Sequence, residues 1–109
     1  MPLEISRHGI RGDLAGDIAL LENLLADFRR VEDNDLPTRE EIAGAPFLDD
    51  YVIDTREMPC LLGLVTGHPR IGPGPVTTSQ IWMFAGELGW ARTLSRLYRL
   101  GRPYDGRLL

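Results

Sequence analysis

The stretch from Gly67 to Trp82 constrains this chain more than any other. Three glycines and three prolines fall within residues 67–75. Proline fixes φ and removes an N–H donor, and glycine reaches backbone conformations closed to other residues. Neither a helix nor an unbroken strand tolerates that density, so the segment predicts a rigid connection. Its flanks have the composition of strands. Residues Cys60 to Thr66 are almost continuously apolar, which suits a central strand. Residues Val76 to Phe84 can alternate, with Thr77, Ser79, Ile81 and Met83 on one face and Val76, Thr78, Gln80, Trp82 and Phe84 on the other. Upstream, Tyr51 to Thr55 is aromatic and β-branched and predicts a further short strand.

The first half follows a different period. Leu14, Ile18, Leu21, Leu25, Phe28 and Val31 share one helical face, which predicts a helix from Asp13 to about Asp33. Asp13 stands where an N-cap belongs, Asp17 lies in the first turn, and Arg29 and Arg30 lie near the C-terminal end. Each charge complements the helix dipole. Pro37 turns Leu36 away from helix. Thr38 followed by Glu41 has the form of a capping box, which predicts a short helix over about 39–43, stopped by Gly44 and Pro46. Residues 1–12 show no clear period and read as a flexible arm or an edge strand. The segment Trp90 to Leu100 fits two periods: Trp90, Leu94, Leu97 and Tyr98 suit a helix, and Trp90, Leu94, Tyr98 and Leu100 suit one face of a strand.

At 109 residues the expectation is a single domain over 1–109: a possible arm (1–12), a helical part (13–46), a β-rich part (47–101) and a tail (102–109). No apolar run approaches the ~20 residues that span a bilayer. The first twelve residues hold Glu4, Arg7, His8 and Arg11 and no apolar leader core, so the expected location is the cytoplasm. The single cysteine, Cys60, has no internal partner, which agrees with a reducing compartment.

All twelve basic residues are arginine, which codon usage in a GC-rich bacterial genome or a need for bidentate contacts would each produce. Charge is divided along the chain: residues 13–57 carry thirteen acids against four arginines, and residues 58–109 two acids against six arginines. The asymmetry suits two binding faces or mutual attraction within the fold.

Four pieces of the second half resemble a family of small, largely uncharacterised proteobacterial proteins, mostly alphaproteobacterial. They are Gly63 to Pro69 (Gly-Leu-Val-Thr-Gly-His-Pro), Thr77 to Trp82, Gly89 to Ser95 (Gly-Trp-Ala-Arg-Thr-Leu-Ser) and Tyr98 to Gly101. The resemblance implies a small sheet or partly open barrel, favours strands over Trp90–Leu100, and brings no established activity.

The chemistry on offer is limited. His68, in Gly67-His68-Pro69-Arg70, sits at the mouth of a rigid loop and is the weak candidate for a general base. The alternative is that its ring nitrogens bond loop carbonyls and hold the turn. Ser79 lies in Thr-Thr-Ser-Gln and not in a Gly-x-Ser-x-Gly elbow, so the Thr78 and Ser79 hydroxyls are expected to pair across strands. His8, His68 and Cys60 lack metal-ligand spacing, and Asp49, Asp50 and Asp54 match no cation loop, so no metal is expected. Gly72-Pro73-Gly74 lacks the Gly-Lys-Ser/Thr of a phosphate loop, and no cofactor is expected. Arg92, Arg96, Arg99, Arg102 and Arg107 interleave with Trp90, Tyr98 and Tyr104, a mixture suited to single-stranded nucleic acid, although the chain's pI is near 5. The acidic half could instead occupy a basic groove as a phosphate mimic.

The expected fold is α+β: an N-terminal helix and a short second helix packed on a small, mainly antiparallel sheet or partly open barrel of three to five strands. The expected function is that of a non-enzymatic bacterial interaction domain with a protein partner. The alternatives are nucleic-acid binding through the arginine and aromatic segment, an acidic-face inhibitor, and a small enzyme using His68.

Overall fold

The computed structural model describes residues 2–106, so Arg107 and the end of the tail lie outside the described residues. The protein is α+β, with two helices, a mixed five-stranded sheet and a two-stranded ribbon. It divides into two units, one formed by residues 2–13 and 57–106 and the other by residues 14–56.

The helical unit opens with α1 (Leu14–Glu32), which starts directly after Asp13. Its end is a Schellman motif built on Asn34, which takes the left-handed conformation at φ 59°. The Asn34 N–H donates to the Val31 carbonyl and the Asp35 N–H to the Arg30 carbonyl. Asparagine tolerates this conformation better than other side chains, which is why the helix stops there. The second helix, α2 (Arg39–Gly44), carries the predicted capping box. The Glu41 N–H donates to Thr38 Oγ1 at 3.1 Å, and the Thr38 N–H donates to Glu41 Oε1 at 3.2 Å. Glu41 also clamps α1, because Arg30 donates to both of its oxygens at 2.7 and 2.9 Å. Arg30 further donates to Asp35 at 3.2 Å, so one guanidinium ties the end of α1 to the start of α2.

These contacts give the helical unit an acid dependence. The hydrogen bonds from the Arg30 side chain, and then from the Thr38 backbone, pull the Glu41 carboxyl from its ordinary 4.5 down to about 2. A carboxyl with a depressed folded-state pKa contributes stability that is complete above the unfolded value and is lost as pH falls through the folded one. The contribution is therefore present above about pH 4.5 and disappears towards pH 2. Far-UV circular dichroism should show helix loss in that window, and Glu41→Gln should remove this component of the transition. Thr38→Ala, which deletes the cap without touching a charge, should cost about 1 kcal/mol. An unchanged acid transition in Glu41→Gln would refute the assignment.

The sheet unit begins with a hairpin of β1 (Leu3–Ser6) and β2 (Gly9–Arg11), so residues 3–11 form strands and not an arm. Along the chain follow β3 (Leu62–Val65), β4 (Gly74–Thr77), β5 (Ile81–Ala85), β6 (Trp90–Thr93) and β7 (Leu97–Arg99), with a 3-10 turn at Gly86–Leu88. The five-stranded sheet has the order β2-β1-β5-β6-β7, and β3 with β4 forms the ribbon. All neighbours are antiparallel except β1 and β5, which run parallel with Leu3 opposite Met83. Thus β1 lies inside the sheet and β2 is the edge. The buried residues are Leu3, Ile81, Ala85, Ala91 and Thr93.

The Gly/Pro connection joins β3 to β4, as its composition demands, with Gly67 at φ 75° and Gly74 at φ 144°. Cys60–Thr66 does not supply a central strand, because β3 is one of the two strands of the ribbon and is mostly exposed. Two further strand expectations are corrected. Val76–Phe84 is not one strand, because Thr78–Gln80 separates β4 from β5. Thr78 Oγ1 accepts the Leu61 N–H at 2.9 Å and donates to the Ser79 carbonyl at 2.8 Å, so a side chain takes over the ladder's role and breaks it. The register also shifts between Ile81 and Met83, so strict alternation fails there. The second correction is at Tyr51–Thr55, where no strand forms. Asp50 is left-handed at φ 50°, and Asp49 and Asp54 accept the N–H groups of the residues that follow them at 2.9 and 2.7 Å. Aspartates that bond the next backbone N–H compete with extended pairing, and among the described residues no strand pairs with this segment.

Candidate functional site

The rigid connection meets strand β7 at one place. The His68 ring lies 6.3 Å from the Tyr98 ring, centroid to centroid, at a 42° tilt. Both are half-buried. His68 does hold its loop, with a different partner from the expected carbonyl: Nδ1 accepts the Arg70 backbone N–H at 3.0 Å. In a neutral imidazole one nitrogen accepts and the other carries the proton. With Nδ1 engaged as acceptor, Nε2 is an N–H donor. Burial of the ring, and then the positive charges of Arg96 and Arg70, hold its pKa below the usual histidine range. His68 is therefore a neutral donor, and in this tautomer its ring has no free lone pair with which to take a proton.

The turn opposite is built from a buried hydroxyl. Thr93 is 1% exposed and is bound to Arg96 three times. Its N–H donates to the Arg96 carbonyl at 2.9 Å, its Oγ1 donates to the same carbonyl at 3.2 Å, and the Arg96 N–H donates to Oγ1 at 3.3 Å. The Leu94 N–H donates to the Gln80 carbonyl at 2.8 Å. Ser95 donates its N–H to Ser79 Oγ at 3.1 Å, and the two serine hydroxyls meet at 2.9 Å. Ser79 thus spends its oxygen on the turn. These bonds replace the helix alternative for Trp90–Leu100 with a tight β6–β7 hairpin. Thr93 and Ser95 were not singled out as site residues, although Thr-Leu-Ser-Arg is a sequence in which hydroxyls can replace backbone partners.

Register divides the predicted arginine and aromatic set. Trp90 pairs with Arg99, and Arg92 with Leu97, which places these four on one face of the sheet. Tyr98 pairs with Ala91 and lies on the other face. Arg96 stands in the β6–β7 turn, and Arg102 follows β7. Gly67, Pro69 and Arg70 share the loop with His68, and Thr78 serves the strand break. Among the described residues, Arg7, Arg11 and Arg30 form ion pairs, whereas Arg70, Arg92, Arg96, Arg99 and Arg102 form none.

A second surface was not singled out by sequence. Phe47, Leu48, Tyr51, Val52 and Ile53 are between 72% and 97% exposed, in a segment without regular structure. The helical unit that contains them carries eleven acids against four arginines, a net charge of −7.

Among the described residues no group of three His, Cys, Asp or Glu side chains is placed to hold a metal ion, and Cys60 is free and exposed. No helix among them is long and apolar enough to cross a membrane. In comparisons with known proteins, the model of a family of unknown function, DUF6634, matches residues 16–108. No curated protein and no solved structure matches the chain.

Proposed function

For a chain that belongs to this family of unknown function, DUF6634, we propose a non-enzymatic interaction domain that binds a protein partner by lending it a strand. One observation carries the reading: Tyr51-Val52-Ile53 has strand composition, stands exposed and pairs with no strand among the described residues. Extended segments of this kind add to the open edge of another sheet, where main-chain hydrogen bonds supply affinity and alternate side chains supply specificity. The flanking charges define the partner. Asp49, Asp50 and Asp54 surround the apolar residues, and two copies aligned in register would set like charges side by side, which opposes pairing. An edge strand bearing arginine or lysine would be complementary.

The test is affinity capture from cell extract with wild-type chain and Val52→Pro, each with and without nuclease. Proline removes the N–H that strand addition needs. Among the described residues Val52 takes part in no backbone hydrogen bond and lies in no helix or strand, so the circular dichroism spectrum should not change. A protein retained after nuclease treatment, and bound at least about tenfold more weakly by Val52→Pro, is the expected result, equivalent to about 1.4 kcal/mol. Equal capture by both chains would dispose of the proposal.

A further inference from the structure

This chain itself carries an open sheet edge of the kind that the exposed strand needs. β7 ends the five-stranded sheet, with β6 on one side and, among the described residues, no strand on the other. The Thr93 N–H donates to the Arg96 carbonyl and the Leu100 N–H to the Gly89 carbonyl, both at 2.9 Å. Those bonds set the phase of the ladder, so Arg96, Tyr98 and Leu100 turn their backbone groups towards β6. Leu97 and Arg99 therefore point their N–H and C=O groups outwards, where a further strand can pair with them. The Leu97 side chain is 61% exposed, and Arg99 forms no ion pair among the described residues. Resting on the strand-lending reading above, we infer that the partner is a second copy of this chain, and that residues 51–53 of each copy add to β7 of the other.

Side chains select one antiparallel register. Val52 opposite Leu97 sets Asp50 opposite Arg99 and Tyr51 opposite Tyr98. Apolar then meets apolar, carboxylate meets guanidinium and ring meets ring, each a favourable cross-strand pair. The same register aims the Val52 and Asp50 backbone groups at the free groups of Leu97 and Arg99. A shift of two residues would place Asp54 on Leu97 and lose the match. Asp50 leaves its left-handed conformation on pairing, and its N–H exchanges the Asp49 carboxylate for the Arg99 carbonyl.

The other edges fit less well. β2 carries Arg11, but Glu4 already pairs with it at 3.6 Å. β3 and β4 hold no basic residue. The charge division along the chain also favours the exchange. The lending segment belongs to a unit of net charge −7, and the accepting edge lies in residues 58–109, with six arginines against two acids. Each copy has one such strand to lend and one such edge to fill, so two copies satisfy each other and the assembly closes as a two-fold dimer.

The experiment is sedimentation equilibrium of the full chain over a range of concentrations at low salt. The mass should rise from 12.2 kDa towards twice that value. Val52→Pro and Arg99→Glu should each weaken dimerisation about tenfold or more. Adding Asp50→Arg to Arg99→Glu restores the pair with its signs exchanged and should recover most of the loss, which damage to β7 alone would not allow. Arg11→Ala should dimerise as the wild type does. Val52 and Arg99 are both exposed, so tryptophan fluorescence should show an intact sheet unit in every variant. In a mixture of carbon-13-labelled and unlabelled chains, NMR should detect contacts between Tyr51 of one copy and Tyr98 of the other. A mass of 12.2 kDa at every concentration overturns the second copy as partner. If Val52→Pro then still weakens capture from cell extract, strand lending stands with a different partner; if it does not, both readings fall. A dimer that either Val52→Pro or Arg99→Glu leaves intact also overturns the inference.

Discussion

Gly12→Ala is expected to destabilise the sheet unit by roughly 2–4 kcal/mol, the largest loss from any single methyl in this chain, through backbone strain and overpacking together. Gly12 follows β2 at φ 124°, a conformation that side chains rarely adopt. A Cβ there would lie 2.6 Å from Leu3 Cδ2 and 3.6 Å from Leu3 Cα. Leu3 is 3% exposed in the parallel β1–β5 pairing, so its side chain has little room to move aside. Gly9 provides the control. It has nearly the same φ, 128°, but an added Cβ would meet nothing within 4 Å. Gly9→Ala should therefore show the backbone term alone, about 1–3 kcal/mol, and Gly12→Ala should exceed it by the cost of displacing Leu3. Both tryptophans, Trp82 and Trp90, are in the sheet unit, so their fluorescence in urea titrations reports on it directly. Equal losses at the two glycines would show that contact with Leu3 contributes nothing.

Thr93→Val should be the next most costly change, at roughly 1–3 kcal/mol. Valine matches threonine in shape but leaves the Arg96 N–H without an acceptor beneath a site that is 1% exposed. The Arg96 carbonyl keeps the Thr93 backbone N–H, so the turn should loosen and not unfold. One readout separates this from a general packing loss: the Arg96 amide should exchange faster with solvent. Thr93→Ser, which keeps the hydroxyl and loses a methyl, should restore slow exchange. If Thr93→Val and Thr93→Ser were equally stable and exchanged alike, the hydroxyl clamp would have no role.

The legible parts of this protein are those whose determinants lie close together in the chain. The helix α1 was readable from its period, and α2 from Thr38 and Glu41, because capping partners are three residues apart. The strand character of Trp90–Leu100 was not decided by period, since both periods fit, and only pairing with β5 resolved it. At Tyr51–Thr55 composition misled. A strand needs a neighbour, and aspartates that bond their own backbone prevail where none is present. The candidate site was half visible. His68, Arg70, Arg96 and Tyr98 were all picked out, but in two separate groups. Trp90 and Tyr98 were read together, although they lie on opposite faces of the sheet.

Sequence alone determined the two helices, the capping box of α2 and the rigid turn that joins β3 to β4, because each is encoded in dihedral limits and hydrogen bonds spanning a few residues. Only the tertiary structure decided that β1 pairs in parallel with β5, that Tyr98 lies on the face opposite Trp90, Arg92 and Arg99, and that His68 meets Tyr98. Those outcomes depend on strand order and register, which join residues far apart in the chain. A shift of one residue in register would exchange the faces of a strand, and nothing local forbids it.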